Sequence, residues 1–344
     1  MSWSRPIVQW QKNVSVRRYD KSHFDIGTER VAMGAVKKVD PNRNYAIEGA
    51  VGGTPLVKLN RLTNALTTAK IWVKCEWQNP TGSVKDRAAY WMIRDAEDTG
   101  KLRPGKVLLD STSGNTGIAL AQLAAARGHK VTLCIPGNAS LVRQRLLKQL
   151  GANLILTSPL EGDDGARTIA QKMVSEQPDK FVYLDQYSNP MNWRAHYEST
   201  AEEIWSQTKG RVTHFVASTG TSGTFIGTSR RLLELNPKIE RYYVQPDVAY
   251  HGIDGVKDYC STRVPPIFDP GLVTGKIEVE TTEAFTIAKR LAREEGLPAG
   301  SSGGAAVAAA LKLAENLDVS ALIVAILPDN VMKAISGPEW GDEK

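Results

Sequence analysis

The sequence predicts an α/β protein in which parallel strands are covered by helices on both faces. Three observations carry that reading. Short apolar runs with little polar alternation recur along most of the chain, as in strands buried on both sides. Stretches of helical period lie between them, and strand–helix alternation builds parallel sheets. Three glycine- and hydroxyl-rich turns directly follow strands, where such folds place their ligands.

Residues 1–45 lack this rhythm and are expected to form an N-terminal extension or docking arm, with disorder as the alternative. "KIWVKCEW" (70–77) reads as a strand, followed by a turn and a helix over about 84–99. "KVLLD" (106–110) is the next strand. The Ala-rich helix "GIALAQLAAARG" follows, with Gly128 suited to its C-terminal cap. "KVTLCI" (130–135), "NLILT" (153–157), "FVYLD" (181–185), "THFVAS" (213–218), "RYYVQP" (241–246) and "ALIVAIL" (321–327) continue the strand series. Residues 247–275 break it, with three prolines and little periodicity. A loop of that length reads as a lid or part of a binding site.

A chain of 344 residues accommodates two domains or one large α/β unit. Its 42% hydrophobic and 23% charged residues are an ordinary globular balance. The net charge of +6, without long basic runs, suits small anionic ligands and gives little support for nucleic acid. Cys75, Cys134 and Cys260 are widely spaced, with no CxxC pair. Neither a disulfide framework nor a metal site is expected, and a reducing cytoplasm fits. No apolar run reaches the roughly 20 residues of a membrane span.

The three turns are ambiguous singly. "STSGNTG" (111–117) could hold a carboxylate with its amides and the Thr112, Ser113, Asn115 and Thr116 side chains. It could equally be a capped turn. "STGTSGT" (218–224) aims amides and the Thr221, Ser222 and Thr224 hydroxyls at one point, as for a phosphate. It lacks both the P-loop ending and a GxGxxG pattern, and a plain connector is the alternative. "AGSSGGAAVAAAL" (299–311) offers small residues and the Ser301 and Ser302 hydroxyls near a flat ligand, or is simply a tightly packed helix start.

Lys85, in "NPTGSVKDR" (79–87), is the unusual residue. Ser83 can cap a helix there, with Asp86 at the capping-box position. Lys85 then falls in the first turn, where the helix dipole and burial both disfavour its charge and should lower its pKa. A neutral amine is a nucleophile able to form a Schiff base. With a phosphate turn, it suggests pyridoxal 5′-phosphate.

"GGTPLVKLNRL", "NPTGSVKDR", "STSGNTG", "GTSGT" and "SSGGAAVAAA" occur in this order. In that order they resemble the cysteine synthases and cystathionine β-synthase catalytic domains over residues 46–335. The resemblance implies a fold-type II pyridoxal-phosphate enzyme with two doubly wound domains. Residues 46–87 and 188–344 would form the large cofactor domain, and 88–187 a small mobile domain that binds the substrate carboxylate. It implies that Lys85 carries the cofactor and later acts as acid and base. Thr112, Ser113, Asn115 and Thr116 would grip the substrate carboxylate, with Asn115 also on the cofactor's 3′-oxygen and Gln186 a second carboxylate contact. Gly220, Thr221, Ser222, Gly223 and Thr224 would form the phosphate cup, and Ser302 would face the pyridine nitrogen.

The implied activity is β-replacement on O-acetylserine or O-phosphoserine by sulfide or a sulfur donor, through an α-aminoacrylate, to give L-cysteine. Condensation of serine with homocysteine, dehydration of serine or threonine, and a catalytically silent scaffold are the alternatives. The implied protein is a cytoplasmic homodimer without nucleic-acid, membrane or metal partners. "GIDGVKDY" (252–259) departs from the Gly-Ile-Gly loop of many O-acetylserine enzymes and is similar to a stretch of the O-phosphoserine enzymes. There Lys257 would meet a substrate phosphate, the alternative being a surface lysine.

Overall fold

Two sheets account for the apolar runs. The structure, a computed structural model, describes residues 47–63, 69–112, 114–333 and 340. The arm expected over residues 1–45 and the carboxylate-loop residue Ser113 lie outside the described residues. The strands are β1 (Leu56–Lys58), β2 (Lys70–Cys75), β3 (Val107–Ser111), β4 (Val131–Pro136), β5 (Asn153–Thr157), β6 (Phe181–Tyr183), β7 (His214–Ser218), β8 (Glu240–Pro246), β9 (Gly275–Val279) and β10 (Leu322–Leu327). A six-stranded sheet has the order β1-β2-β10-β7-β8-β9, and a four-stranded sheet the order β5-β4-β3-β6. Every pairing is parallel except β1 with β2.

The helices are α1 (Lys85–Asp98), α2 (Asn115–Ala126), α3 (Leu141–Gln149), α4 (Gly162–Glu176), α5 (Pro190–Ala195), α6 (Ala201–Gln207), α7 (Gly223–Leu235), α8 (Thr281–Glu295) and α9 (Ser301–Ala314). A π-helical turn, His196–Thr200, joins α5 to α6. Helices cover both faces of the six-stranded sheet. One core joins Ile71, Ile323 and Leu327 to residues of α8 and α9, and another joins Phe215 and Val324 to residues of α6 and α7. The four-stranded sheet is likewise packed on two sides, against α1 and α2 and against α4.

Two strands among the described residues escaped the sequence reading, and the third glycine-rich turn, expected directly after a strand, instead joins α8 to α9. β1 has three residues, and β9 begins at the last residue of the segment read as a loop. The run 70–77 ends as a strand at Cys75 and continues as a 3₁₀ turn. The expected capping box is also different. Val84 precedes α1, and Asp86 accepts from the Thr81 backbone N–H and hydroxyl rather than reaching back to Ser83. The Ser83 hydroxyl accepts from Lys85 N–H at 3.3 Å, so Lys85 opens the helix.

A buried charge network sets where α1 starts. Arg87 donates from Nε and Nη2 to both oxygens of Glu76 at 2.7 and 2.8 Å, and from Nη1 to Glu203 at 2.7 Å. Lys74 donates to Glu203, the Thr54 carbonyl and Gln207. These contacts bolt α1 to β2 and α6 directly beneath Lys85. Paired, hydrogen-bonded charges are the form in which such groups tolerate burial.

Candidate active site

Residues just past β3, β7 and β10 line one cavity of about 610 Å³ with the first turns of α1, α2, α7 and α9. The cavity brings together Lys85, Thr112, Asn115, Thr116, Gln186, Gly220, Thr221, Ser222, Gly223, Thr224, Lys257 and Ser302. Sequence positions more than 200 residues apart thus meet at the strand ends, as in other open α/β folds.

Lys85 is half-buried. Burial pushes its amine below the usual lysine range, and the Asp329 carboxylate partly opposes that shift. Sequence reasoning missed Asp329. Its carboxylate accepts from Asn115 Nδ2 at 2.6 Å, and its backbone bridges to Ser83. The preceding carbonyl, that of Pro328, accepts from Val84 N–H at 2.8 Å. Residues 328–329 therefore tie the starts of α1 and α2 to the end of β10.

The 112–116 loop is built from local bonds. Thr112 Oγ1 accepts from the N–H groups of Gly114 and Gly117 at 3.1 and 3.3 Å, so this side chain serves as a cap. Thr116 donates to Gln186 Oε1 at 2.8 Å, and Gln186 Nε2 donates to the Ser111 carbonyl at 2.8 Å. Gln186 and Thr116 are thereby locked together on the cavity wall.

The 220–224 turn has the backbone of an anion seat. Ser222 adopts φ 69° and immediately precedes α7, whose N-terminus carries positive partial charge. The Ser222 hydroxyl is buried beside that N-terminus. Gly220 is required because a Cβ there would lie 2.2 Å from the Gly255 carbonyl oxygen. That contact, with Lys257 N–H donating to the Thr219 carbonyl at 2.9 Å, pins the 252–258 loop against the turn. Ser302, in the first turn of α9, accepts from the Ser218 hydroxyl through its carbonyl at 2.8 Å.

Two ion pairs of opposite polarity join the 252–258 loop to helices beside the four-stranded sheet. Arg143 on α3 meets Asp254 at 2.7 Å, and Lys257 meets Asp164 on α4 at 3.3 Å. Lys257 also lies over the Tyr187 ring, 4.8 Å from its centroid. Its side chain is only 12% exposed, so it is a cavity-wall residue and not the surface lysine of the alternative reading.

A helix-borne amine, a glycine-rich turn at a helix N-terminus and a hydroxyl-rich loop thus surround one cavity. The chain belongs to the family described as "Pyridoxal-phosphate dependent enzyme", whose profile matches residues 47–329. It is 46% identical over 298 residues to the cysteine synthase of Aquifex aeolicus, covering 85% of this chain and 91% of that protein. Among solved structures it is similar to the cysteine synthase of Entamoeba histolytica, at TM-score 0.84 and 35% identity, covering 94% of this chain and 96% of that one. It is also similar to isoform 3 of the O-acetylserine sulfhydrylase of that organism, at TM-score 0.82 and 31% identity with the same coverage.

The residues present fit that cofactor. Lys85 offers an amine with a lowered pKa. The Ser222 hydroxyl is buried beside a helix N-terminus, with the Thr221 and Thr224 hydroxyls on the same cavity. Ser302 places a neutral side chain on the same cavity.

Proposed function

We propose that this protein is a cysteine synthase, replacing the β-substituent of an activated L-serine with sulfide or another sulfur donor to give L-cysteine. The observation that carries this reading is the single cavity shared by the Lys85 amine, the 112–116 loop with Gln186, and the 220–224 turn. The names of the relatives support it. O-acetylserine is favoured over O-phosphoserine. One solved relative is named for O-acetylserine, and Lys257 is engaged by Asp164 and Tyr187.

Pyridoxal phosphate, when bound, supplies an electron sink for cleavage at the substrate's α-carbon. Lys85 would hold its aldehyde carbon and, once displaced, take the α-proton at Nζ. The backbone N–H groups at the start of α2 and the Thr116 and Gln186 side chains would orient the substrate carboxylate. Asn115, held by Asp329, would face the cofactor's 3′-oxygen. The 220–224 turn would seat the phosphate, and the neutral Ser302 hydroxyl would face the ring nitrogen without the charge an aspartate would bring. We further propose that the four-stranded sheet and its helices act as a small domain, residues 88–187, closing on the remainder. A cytoplasmic homodimer completes the reading.

The test is product identification with serine, O-acetylserine and O-phosphoserine, each supplied with sulfide or homocysteine. Cysteine from O-acetylserine and sulfide is the expected dominant product; cystathionine as the main product would overturn the assignment. Lys85→Ala should abolish the visible absorbance of bound cofactor and lower turnover by about 100-fold or more. Retained colour and turnover would remove Lys85 from the mechanism.

A further inference from the structure

Thr224 lies in the first turn of α7 and lines the cavity. Its Oγ1 is 3.3 Å from Nε2 of His196. The other ring nitrogen, Nδ1, is 2.9 Å from Thr200 Oγ1. His196 opens the π-helical turn between α5 and α6 and is 1% exposed. Single π-turns within helices concentrate at functional sites. Helix α7 is seated directly on this one. A Cβ at Gly227 would lie 1.9 Å from the Trp193 carbonyl oxygen and 2.9 Å from His196 Cβ.

Burial first, then the nearby Arg87 charge, holds the His196 imidazole down to about 3. The ring is therefore neutral at working pH, with one nitrogen a donor and the other an acceptor. A phosphate monoester brings acceptor oxygens and negative charge. A Thr224 hydroxyl meeting it donates its hydrogen bond to the phosphate, so Thr224 Oγ1 must accept from the ring. Nε2 then carries the hydrogen, and Nδ1 is left to accept from the Thr200 hydroxyl. The bound anion thus selects one of the two possible polarities of the chain.

We propose that His196 is a positioning residue that, through the chain Thr200 to His196 to Thr224, fixes the Thr224 hydroxyl as a donor toward the cofactor's phosphate. This rests on reading the 220–224 turn as the phosphate seat. The imidazole touches neither substrate nor cofactor; it sets where the Thr224 proton points.

The test uses the full-length protein freed of cofactor and titrated with pyridoxal 5′-phosphate and, separately, with pyridoxal, which lacks the phosphate. The ratio of the two affinities isolates the phosphate contribution. His196→Leu should weaken pyridoxal phosphate by about tenfold or more while leaving pyridoxal within about twofold, as expected if the Thr224 hydroxyl is no longer held toward the charged phosphate. His196→Gln, which keeps an amide donor, should recover most of the ratio. Thr200→Val, a milder change should His196→Leu not fold, should lower the ratio in the same direction. In the loaded wild-type protein, ¹⁵N spectra should show His196 neutral with hydrogen on Nε2. An unchanged ratio in the folded variants, parallel loss of both affinities, or hydrogen on Nδ1 would overturn the inference. If the wild type bound both aldehydes equally, the phosphate seat itself would be wrong. If it preferred the phosphate and the variants kept that preference, only the role of His196 would fall.

Discussion

Asp329 stands where three helices begin. Its carboxylate holds Asn115 at the start of α2, its backbone bridges to Ser83 before α1, and its carbonyl accepts from Gly300 N–H before α9. It also opposes the burial that lowers the Lys85 amine. Asp329→Asn removes the opposing charge, so Lys85 should become neutral at lower pH. The acid limb of the pH profile for capture of pyridoxal phosphate by the cofactor-free protein should move to lower pH. A limb that stays or rises refutes this. Asp329 was not legible in the sequence because an aspartate after a proline at a strand end looks like turn chemistry. Lys85 was legible because a lysine at a helix start contradicts a local electrostatic preference. His196 carries no such contradiction in sequence; only its placement behind Thr224 makes it conspicuous.

At the scale of elements, the network of Lys74, Glu76, Arg87 and Glu203 matters most. It locks β2, α1 and α6 together with charges that are almost wholly buried. Arg87→Met strands Glu76 and Glu203 beside one another and should cost about 3–5 kcal/mol, read by denaturant unfolding. A loss below about 1 kcal/mol would mean the carboxylates find other partners or take up protons. The strands that sequence identified lie in apolar runs bounded by turn residues, such as β4, buried throughout. β9 was missed because it is an edge strand whose burial alternates, and β1 because its three residues include none that is fully buried. The π-helical turn reads in sequence as ordinary polar helix, since an inserted residue leaves no compositional mark.

Across the whole molecule, one buried carboxyl contributes stability that declines with rising pH. Burial, chiefly, raises Asp110 from 3.8 to about 8, with Asp185 adding to the shift and the Ser111 backbone N–H opposing it. Between those values the folded protein holds a proton that the unfolded chain has released. The stabilisation from this group is full below about pH 4 and declines as pH rises toward 8. Asp110→Asn mimics the protonated acid and should remove the decline, so its Tm should gain on the wild type steadily from pH 5 to pH 8. A difference constant with pH would show that Asp110 does not titrate in this range.

β10 enters the six-stranded sheet between β2 and β7, although it comes after every other strand among the described residues. During translation, β2 and β7 are therefore complete while each still presents a bare hydrogen-bonding margin. The nascent polypeptide cannot assemble its cofactor pocket before the ribosome has passed residue 330. Until then, chaperones have two open sheet margins to shield from aggregation.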